Sequence, residues 1–199
     1  MHGKAAHASR PEQGMDAIAG MAYMLASARN RVKELKEDAF LGKSTIVFGE
    51  IQGGVHPYQV PAECKVAMDM RGVPPYHIED VKTLLEAAAE DAAKEIPGLK
   101  AEIRSTGNRP PIAHHEDAEM LSRIRTAVEQ ETGKVPVVSA FPGYTDTAVI
   151  AGTTGNCNCL SYGPGTLAMA HKADEYVDEA DIRRCQKVYE TLLKEWLWM

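Results

Sequence analysis

Residues 44–71 read STIVFGEIQGGVHPYQVPAECKVAMDMR and contain two predicted β-strands separated by a glycine-rich turn. The first strand, over residues 44–51, is rich in β-branched side chains and ends at Gly53-Gly54. In the second, over residues 62–71, apolar and polar side chains alternate, which is typical of a strand with one buried face. We therefore expect two successive strands in the middle of the N-terminal half.

Elements on both sides of these strands complete an alternating pattern. Residues 2–9 form a short predicted edge strand, which stops before Pro11 because proline has no amide hydrogen for a ladder. Apolar residues at helical spacing predict amphipathic helices over residues 14–36 and 78–96, and residues 99–103 alternate again as a last strand. The order β-α-β-β-α-β is the split unit of ferredoxin-like sandwiches, in which two helices cover one face of an antiparallel sheet.

The C-terminal half follows a linker at residues 108–111, so we place the domains at residues 1–108 and 109–199. Its predicted elements are a helix at 117–132, a strand at 135–139, a brief helix after the turn at 142–146, a strand at 159–162, a loop at 163–176 and a final helix through 182–196. This alternation favours a parallel α/β sheet, but two strands cannot build a buried one. We therefore expect an α/β fold class in which this domain is the C-terminal part of a larger unit.

Composition excludes several classes of partner. The sequence has 22 Lys and Arg against 28 Asp and Glu, a formal net charge of −6. Because proteins that bind duplex nucleic acid usually carry a basic excess or stripe, we expect no nucleic-acid partner. No apolar run approaches the ~18 residues of a membrane span, so we expect no membrane partner. The four cysteines form no dense framework, which predicts reduced thiols and a cytoplasmic protein.

Histidines and cysteines at suggestive spacings are the candidates for chemistry. His171 lies in a loop between a predicted strand and helix, so it is a metal ligand or a surface histidine beside helix-capping Asp174 and Glu175. Residues 114–117 contain a His-x-Asp pair, a spacing of some hydrolase metal sites, but their position at a helix start favours capping. Residues 157–159 offer half of a thiolate site, yet two small buried residues are the favoured interpretation.

Five motifs, taken in order along the chain, resemble a known family. They are residues 3–18 (GKAAHASRPEQGMDAI), 53–64 (GGVHPYQVPAEC), 69–71 (DMR), 144–146 (YTD), and 162–165 (YGPG) followed by 170–177 (AHKADEYV). The series is similar to the two-zinc aminoacylase-type metallopeptidases, which include acetylornithine deacetylase, succinyl-diaminopimelate desuccinylase and glutamate carboxypeptidases. The resemblance extends over the whole chain.

The resemblance implies both a fold and a reaction. Residues 1–108 are expected to form a ferredoxin-like dimerisation domain, and residues 109–199 the C-terminal portion of an α/β zinc-peptidase catalytic domain. The implied protein is a zinc-dependent amidohydrolase that cleaves the amide bond of a small acyl-amino-acid or peptide substrate. Two zinc ions are implied, with cobalt or manganese as alternatives, together with a homodimer formed through residues 1–108.

The same resemblance assigns roles to single residues. His171 is implied as a zinc ligand, and His7 as a donor to the tetrahedral oxyanion in the partner's site across the dimer. Arg71 is implied to bind the substrate carboxylate. The residues implied to line the pocket are Tyr58, Thr145, Gly163 and Gly165. Tyr58 stands where the family usually has asparagine, so the resemblance does not carry over the usual amide contact with the substrate at that position.

One part of the family pattern is missing from the sequence. Family members begin with a catalytic segment that carries a His-x-Asp pair, a bridging Asp and a Glu-Glu pair holding the general base, and none of these precedes His7. We therefore expect a fragment that is inactive as this chain alone. The alternative is a non-catalytic dimerisation or binding module that uses the open face of the βαββαβ sheet, because one histidine cannot hold two metals.

Overall fold

The computed structural model describes residues 1–197, and the chain divides into two compact units, Met1–Pro111 and Ile112–Met199. The regular elements of the first unit are β1 (Ala6–His7), α1 (Ala17–Lys33), β2 (Thr45–Gly53), β3 (Gln59–Val60), β4 (Cys64–Arg71) and α2 (Ile78–Glu95). Those of the second unit are α3 (Glu119–Thr132), α4 (Asp146–Thr154) and α5 (Glu179–Leu197). Helices and small antiparallel sheets together confirm the predicted mixed α/β class.

The first unit is built on an antiparallel ladder between β2 and β4. The ladder runs from the pair Thr45–Arg71 to the pair Gly53–Cys64, with a bulge between Phe48 and Glu50. His2 forms antiparallel bridges with both Glu63, next to β4, and Lys100. The N-terminal segment therefore lies between β4 and Lys100, and β2 lies at the edge, because within residues 1–197 its only ladder partner is β4.

Two helices pack on one face of this sheet, as the sequence predicts. Asp16 caps α1, since its Oδ1 accepts hydrogen bonds from the backbone N–H groups of Ile18 and Ala19, both at 2.9 Å. Apolar strand residues pack against the buried faces of both helices. The core residues are Met21, Met24 and Ala28 of α1, Leu85, Ala88 and Ala92 of α2, and Ile46, Phe48, Cys64, Val66 and Met68 of the strands.

A polar cluster joins the two helices. Asp91 of α2 accepts hydrogen bonds from Ser27 Oγ and Arg31 Nη2 of α1, both at 2.7 Å, and from Lys94 Nζ at 2.8 Å. Hydrogen bonds from Lys94, Arg31 and Ser27 hold the pKa of the Asp91 carboxyl well below its ordinary value. Because the donors come from both helices, the ionised carboxylate connects α1 to α2.

Two predicted strands of the first unit need correction. The strand predicted over residues 2–9 is reduced to Ala6–His7 and single bridges at His2 and Lys4, and the strand predicted over residues 99–103 is reduced to a bridge at Lys100. The alternation in the second stretch still indicates burial, since Leu99 is buried and Ile103 packs against the core. Alternation reports which side chains are buried, whereas a ladder also needs a neighbouring backbone in register.

The second unit has a helical core. α3 and α5 pack against each other through Leu121, Ile124, Ala127, Val128, Val188 and Leu192. The strands predicted at residues 135–139 and 159–162 are wrong, since neither stretch joins a ladder in the described part of the chain. Val138 and Leu160 nevertheless pack against the helix pair. None of the described helices is long and apolar enough to cross a membrane.

Candidate functional site

His7 lies on β1, in the ribbon that β1 forms with β3, and its side chain is exposed. The Oγ of Ser9 is 2.8 Å from His7 Nδ1, and the backbone N–H of Ser9 donates to the same nitrogen at 3.2 Å. The backbone closes a turn here, because the N–H of Arg10 donates to the His7 carbonyl at 2.9 Å. These local hydrogen bonds fix the orientation of an imidazole that is otherwise open to solvent.

Tyr58 is held next to the same turn. Its carbonyl accepts a hydrogen bond from the N–H of Ala8 at 2.9 Å, which joins the loop before β3 to the end of β1. The Tyr58 ring stacks on His56, with ring centroids 5.0 Å apart and an interplanar angle of 8°. Tyr58 is 60% exposed, so the stacked rings form a flat aromatic surface on this side of the first unit.

Arg71 ends β4, opposite Thr45 of β2. Its Nε donates to Asp69 Oδ2 at 3.0 Å, and both side chains are exposed. Exposed ion pairs of this kind are weak because water screens them. In general a guanidinium can bind a carboxylate with two parallel hydrogen bonds, so the chemistry of Arg71 is compatible with its predicted role.

Thr145 belongs to a ring of three hydroxyl groups at the start of α4. Thr145 Oγ1 donates to Thr147 Oγ1 at 3.0 Å, Ser161 Oγ donates to Thr145 Oγ1 at 3.1 Å, and the Oγ atoms of Thr147 and Ser161 are 3.1 Å apart. Each hydroxyl has a single proton, and the ring uses all three internally. The cluster therefore presents acceptor lone pairs, which suit the N–H groups of an amide or amine ligand.

The loop between residues 163 and 176 carries the remaining candidates. Gly165 has a φ of +83°, and a Cβ there would lie 3.3 Å from Val177 Cγ2, so glycine suits the position. His171 has a φ of 62°, and it is the only non-glycine residue with a positive φ among residues 1–197. Its backbone N–H donates to Glu175 Oε2 at 2.9 Å, while its side chain is exposed. Such strained conformations are more frequent at functional sites than elsewhere.

The candidate residues form separate groups. The ribbon brings His7 and Tyr58 together, and Arg71 lies at the C-terminal end of β4 in the same unit. Thr145, Gly163, Gly165 and His171 belong to the second unit. Within residues 1–197, no three His, Cys, Asp or Glu side chains are arranged to hold a metal ion.

The sequence interpretations of the other polar motifs need correction. Glu116 does not cap α3: it pairs with Arg125 and with His114, whose donors lower the pKa of its carboxyl, while Ala118 precedes the helix. Asp174 and Glu175 do not cap α5 either, because the Ala180 N–H donates to Asp178.

The pair of cysteines also differs from the sequence interpretation. Cys157 is exposed and Cys159 is half-buried, so the prediction of two buried residues is wrong. Burial raises the pKa of the Cys159 thiol, which keeps it protonated near neutral pH.

Several residues of the site are missed by sequence reasoning. Ser9 lies within the first motif, but nothing in the sequence indicates its contact with His7. The stacking of His56 on Tyr58 also depends on the loop conformation. Thr147 follows Thr145 at a spacing that predicts proximity, whereas Ser161 is distant in sequence and only the fold brings it near.

Comparisons with known proteins extend these observations. Residues 1–97 match the family model M20_dimer, which describes a peptidase dimerisation domain. The chain is 27% identical over 193 residues to acetylornithine deacetylase of Myxococcus xanthus, covering 94% of this chain and 49% of that protein. It is 28% identical over 201 residues to acetylornithine deacetylase of Photorhabdus laumondii, and the alignment covers 96% of this chain and 49% of that protein.

Solved structures show the same fold. Aminopeptidase PepT from Bacillus cereus gives a TM-score of 0.73 at 21% identity, covering 98% of this chain and 49% of that chain. The M20 family metallo-carboxypeptidase from Sulfolobus solfataricus gives a TM-score of 0.70 at 17% identity, and the alignment covers 96% of this chain and 55% of that chain.

Residues 1–97 therefore match a peptidase dimerisation domain, and this match and the relatives confirm the resemblance drawn from the sequence. The chain as a whole is similar to M20 amidohydrolases and peptidases. It spans about half the length of the curated relatives that it matches.

Proposed function

We propose that this chain is the dimerisation domain and C-terminal portion of a zinc-dependent amidohydrolase that cleaves an N-acyl amino acid or small peptide. The observation that carries the proposal is the similarity to acetylornithine deacetylase over 94% of the chain, which spans both units. The family match of residues 1–97 supports a dimerisation role for the first unit. Four free cysteines support a cytoplasmic location.

Each candidate residue has a role in this proposal. His7 donates from Nε2 to the oxyanion of the tetrahedral intermediate, and its exposure on the ribbon supports a site that includes a partner subunit. Arg71 releases Asp69 to bind the substrate carboxylate. The hydroxyl ring at Thr145 accepts hydrogen bonds from the substrate, and Tyr58 contacts it through the exposed aromatic surface. Gly163 and Gly165 shape the loop that leads to His171.

The described residues do not by themselves fit a two-metal centre. A zinc ion in an enzyme takes about three protein ligands, and residues 1–197 contain no group of three suitable side chains. We assign one ligand, His171, on the support of its exposed imidazole and strained backbone. Binding of two zinc ions, or of cobalt or manganese in their place, therefore requires further ligands from outside these residues.

We infer a homodimer that forms through residues 1–108 at the β2 edge. An open edge presents unpaired backbone groups, which natural proteins usually cover. Ile51 lies opposite Val66, which packs on the helix-covered face, yet Ile51 is 59% exposed. Ile18 of α1 is also exposed, and its Cγ1 lies 3.0 Å from the position of a Cβ on Gly53. Ile18 and Ile51 thus form an apolar strip along this edge.

Immunodepletion tests the proposed activity. Antibodies raised against this chain are used to deplete an extract of the source cells, and release of free amine from N-acetyl amino acids is measured before and after. We expect depletion to remove hydrolase activity and to capture a polypeptide whose activity is abolished by a chelator and restored by zinc. Quantitative capture of the polypeptide with full activity left in the extract would contradict the proposal.

The second candidate function is a non-catalytic dimerisation or binding module. The lack of a metal-ligand group within residues 1–197 favours it for the chain in isolation. Both candidates predict that the purified chain does not hydrolyse N-acyl amino acids with added zinc or cobalt. Capture of a polypeptide of 21.7 kDa without hydrolase activity would support the module.

A further inference from the structure

The strongest unassigned feature is the contact between Ser9 and His7. Two groups of Ser9 reach the same ring nitrogen: the hydroxyl oxygen lies 2.8 Å from His7 Nδ1, and the backbone nitrogen lies 3.2 Å from it. A backbone N–H can only donate, so Nδ1 is the acceptor in this arrangement. A neutral imidazole that accepts at Nδ1 carries its proton at Nε2.

The opposite nitrogen of the ring, Nε2, is not used by these contacts. His7 is exposed, and within residues 1–197 its Nε2 has no hydrogen-bond partner. The backbone around Ser9 is held on both sides, by the Ala8 N–H on the Tyr58 carbonyl and by the Arg10 N–H on the His7 carbonyl, both at 2.9 Å. The turn therefore keeps both Ser9 donors close to Nδ1 and leaves Nε2 of the exposed ring available to a ligand.

We propose that Ser9 is a positioning residue that holds His7 in the Nε2–H tautomer through its hydroxyl and backbone N–H. The inference rests on the proposed function, because it explains how His7 presents a proton to a developing oxyanion. The Nδ1–H tautomer presents a lone pair at Nε2 instead, which repels an oxyanion. A donor must be prearranged at the start of the reaction to stabilise charge without a reorganisation cost.

The ¹⁵N resonances of the His7 ring report the tautomer directly in this chain. Nuclear magnetic resonance of the labelled chain at a pH where the ring is neutral is expected to show a protonated Nε2 and an unprotonated Nδ1. Ser9→Thr keeps a hydroxyl donor and is expected to preserve this signature. Ser9→Asp replaces the donor by a carboxylate that only accepts, and is expected to shift the proton toward Nδ1.

Two results would overturn the proposal. One is an Nδ1–H tautomer in the wild-type chain, and the other is a Ser9→Asp spectrum in which the His7 ring resonances match those of Ser9→Thr. Amide spectra of both variants are compared with the wild type, so that a misfolded variant is recognised. Ser9→Ala removes the hydroxyl without adding charge. Its Nε2–H fraction is expected to lie between that of Ser9→Thr and that of Ser9→Asp.

A kinetic measurement separates this proposal from the proposed function. In the hydrolase expressed from its gene, Ser9→Ala is expected to lower kcat in proportion to the Nε2–H fraction lost, with KM unchanged. If the tautomer shifts while His7→Ala leaves kcat unchanged, the proposed function fails and the positioning role stands. If His7→Ala abolishes turnover while Ser9 variants leave the tautomer unchanged, the positioning role fails.

Discussion

Ile51→Ser is expected to weaken the proposed dimer by a predictable amount. Full burial of an isoleucine side chain stabilises by about 1.5–3 kcal/mol. Because Ile51 is 59% exposed in the single chain, burial of this exposed fraction in the dimer is worth about 1–2 kcal/mol per subunit. A two-fold dimer buries the residue twice, so the loss is about 2–4 kcal/mol, which raises the dimer Kd about 30- to 700-fold.

Sedimentation equilibrium over a range of concentrations measures this Kd. Val55→Ser is the matched control, because Val55 is 81% exposed and lies beyond the end of β2, so its loss leaves the Kd unchanged. Urea unfolding of each variant checks that the first unit is still folded. A wild-type chain that sediments only as a 21.7 kDa species, or equal Kd values for both variants, would refute the reasoning.

Three further changes test the described contacts. Gly3→Ala is expected to destabilise the first unit by about 2–3 kcal/mol in urea unfolding, because the added Cβ lies 2.1 Å from the carbonyl oxygen of Met15. Gly49→Ala is the control, because the nearest atom to a Cβ at Gly49 is 3.9 Å away. Asp91→Asn is expected to flatten the acid limb of the stability profile. The pKa of Asp91 is lower in the folded than in the unfolded chain, so the stability that its carboxylate contributes is present above about pH 4 and is lost as the pH falls further. The free energy of unfolding of both proteins is measured from pH 6 to 2. An equal loss of stability in the wild type and in Asp91→Asn would contradict this prediction. His171→Gly is expected to stabilise the second unit by about 1 kcal/mol in thermal unfolding, since glycine removes the strain of a left-handed residue; an unchanged or lower midpoint argues against strain.

Sequence patterns predict helices better than strands in this chain. Side-chain periodicity alone places α1 and α2, because a helix makes its backbone hydrogen bonds within itself. A strand needs a partner, and the partner is a matter of tertiary structure. Residues 99–103 alternate correctly and bury Leu99, yet only Lys100 bridges to another segment. The two-residue strand β3 carries no periodic signal, and its pairing with β1 emerges only from the fold.

The same distinction applies to the candidate site. Motif resemblance predicts roles for His7 and His171, and the structure adds the local geometry that a motif does not contain. The tautomer of His7 depends on the Ser9 donors, and the φ of His171 depends on the conformation of its loop. Arg71 and Asp69 are two residues apart on one strand, a spacing that puts both side chains on the same face, so this ion pair can be predicted from sequence.

The bulge in β2 has a consequence for how this gene tolerates insertions and deletions. Removing one residue from a regular strand turns every later side chain to the opposite face. Here Gly49 is the surplus residue, because Phe48 lies opposite Met68 and Glu50 already lies opposite Ala67. Loss of the Gly49 codon leaves Ile51 two positions after Phe48, so that Ile46, Phe48 and Ile51 still share one face of the strand. The length of this strand can therefore change by one codon while the side chains facing the core stay where they are.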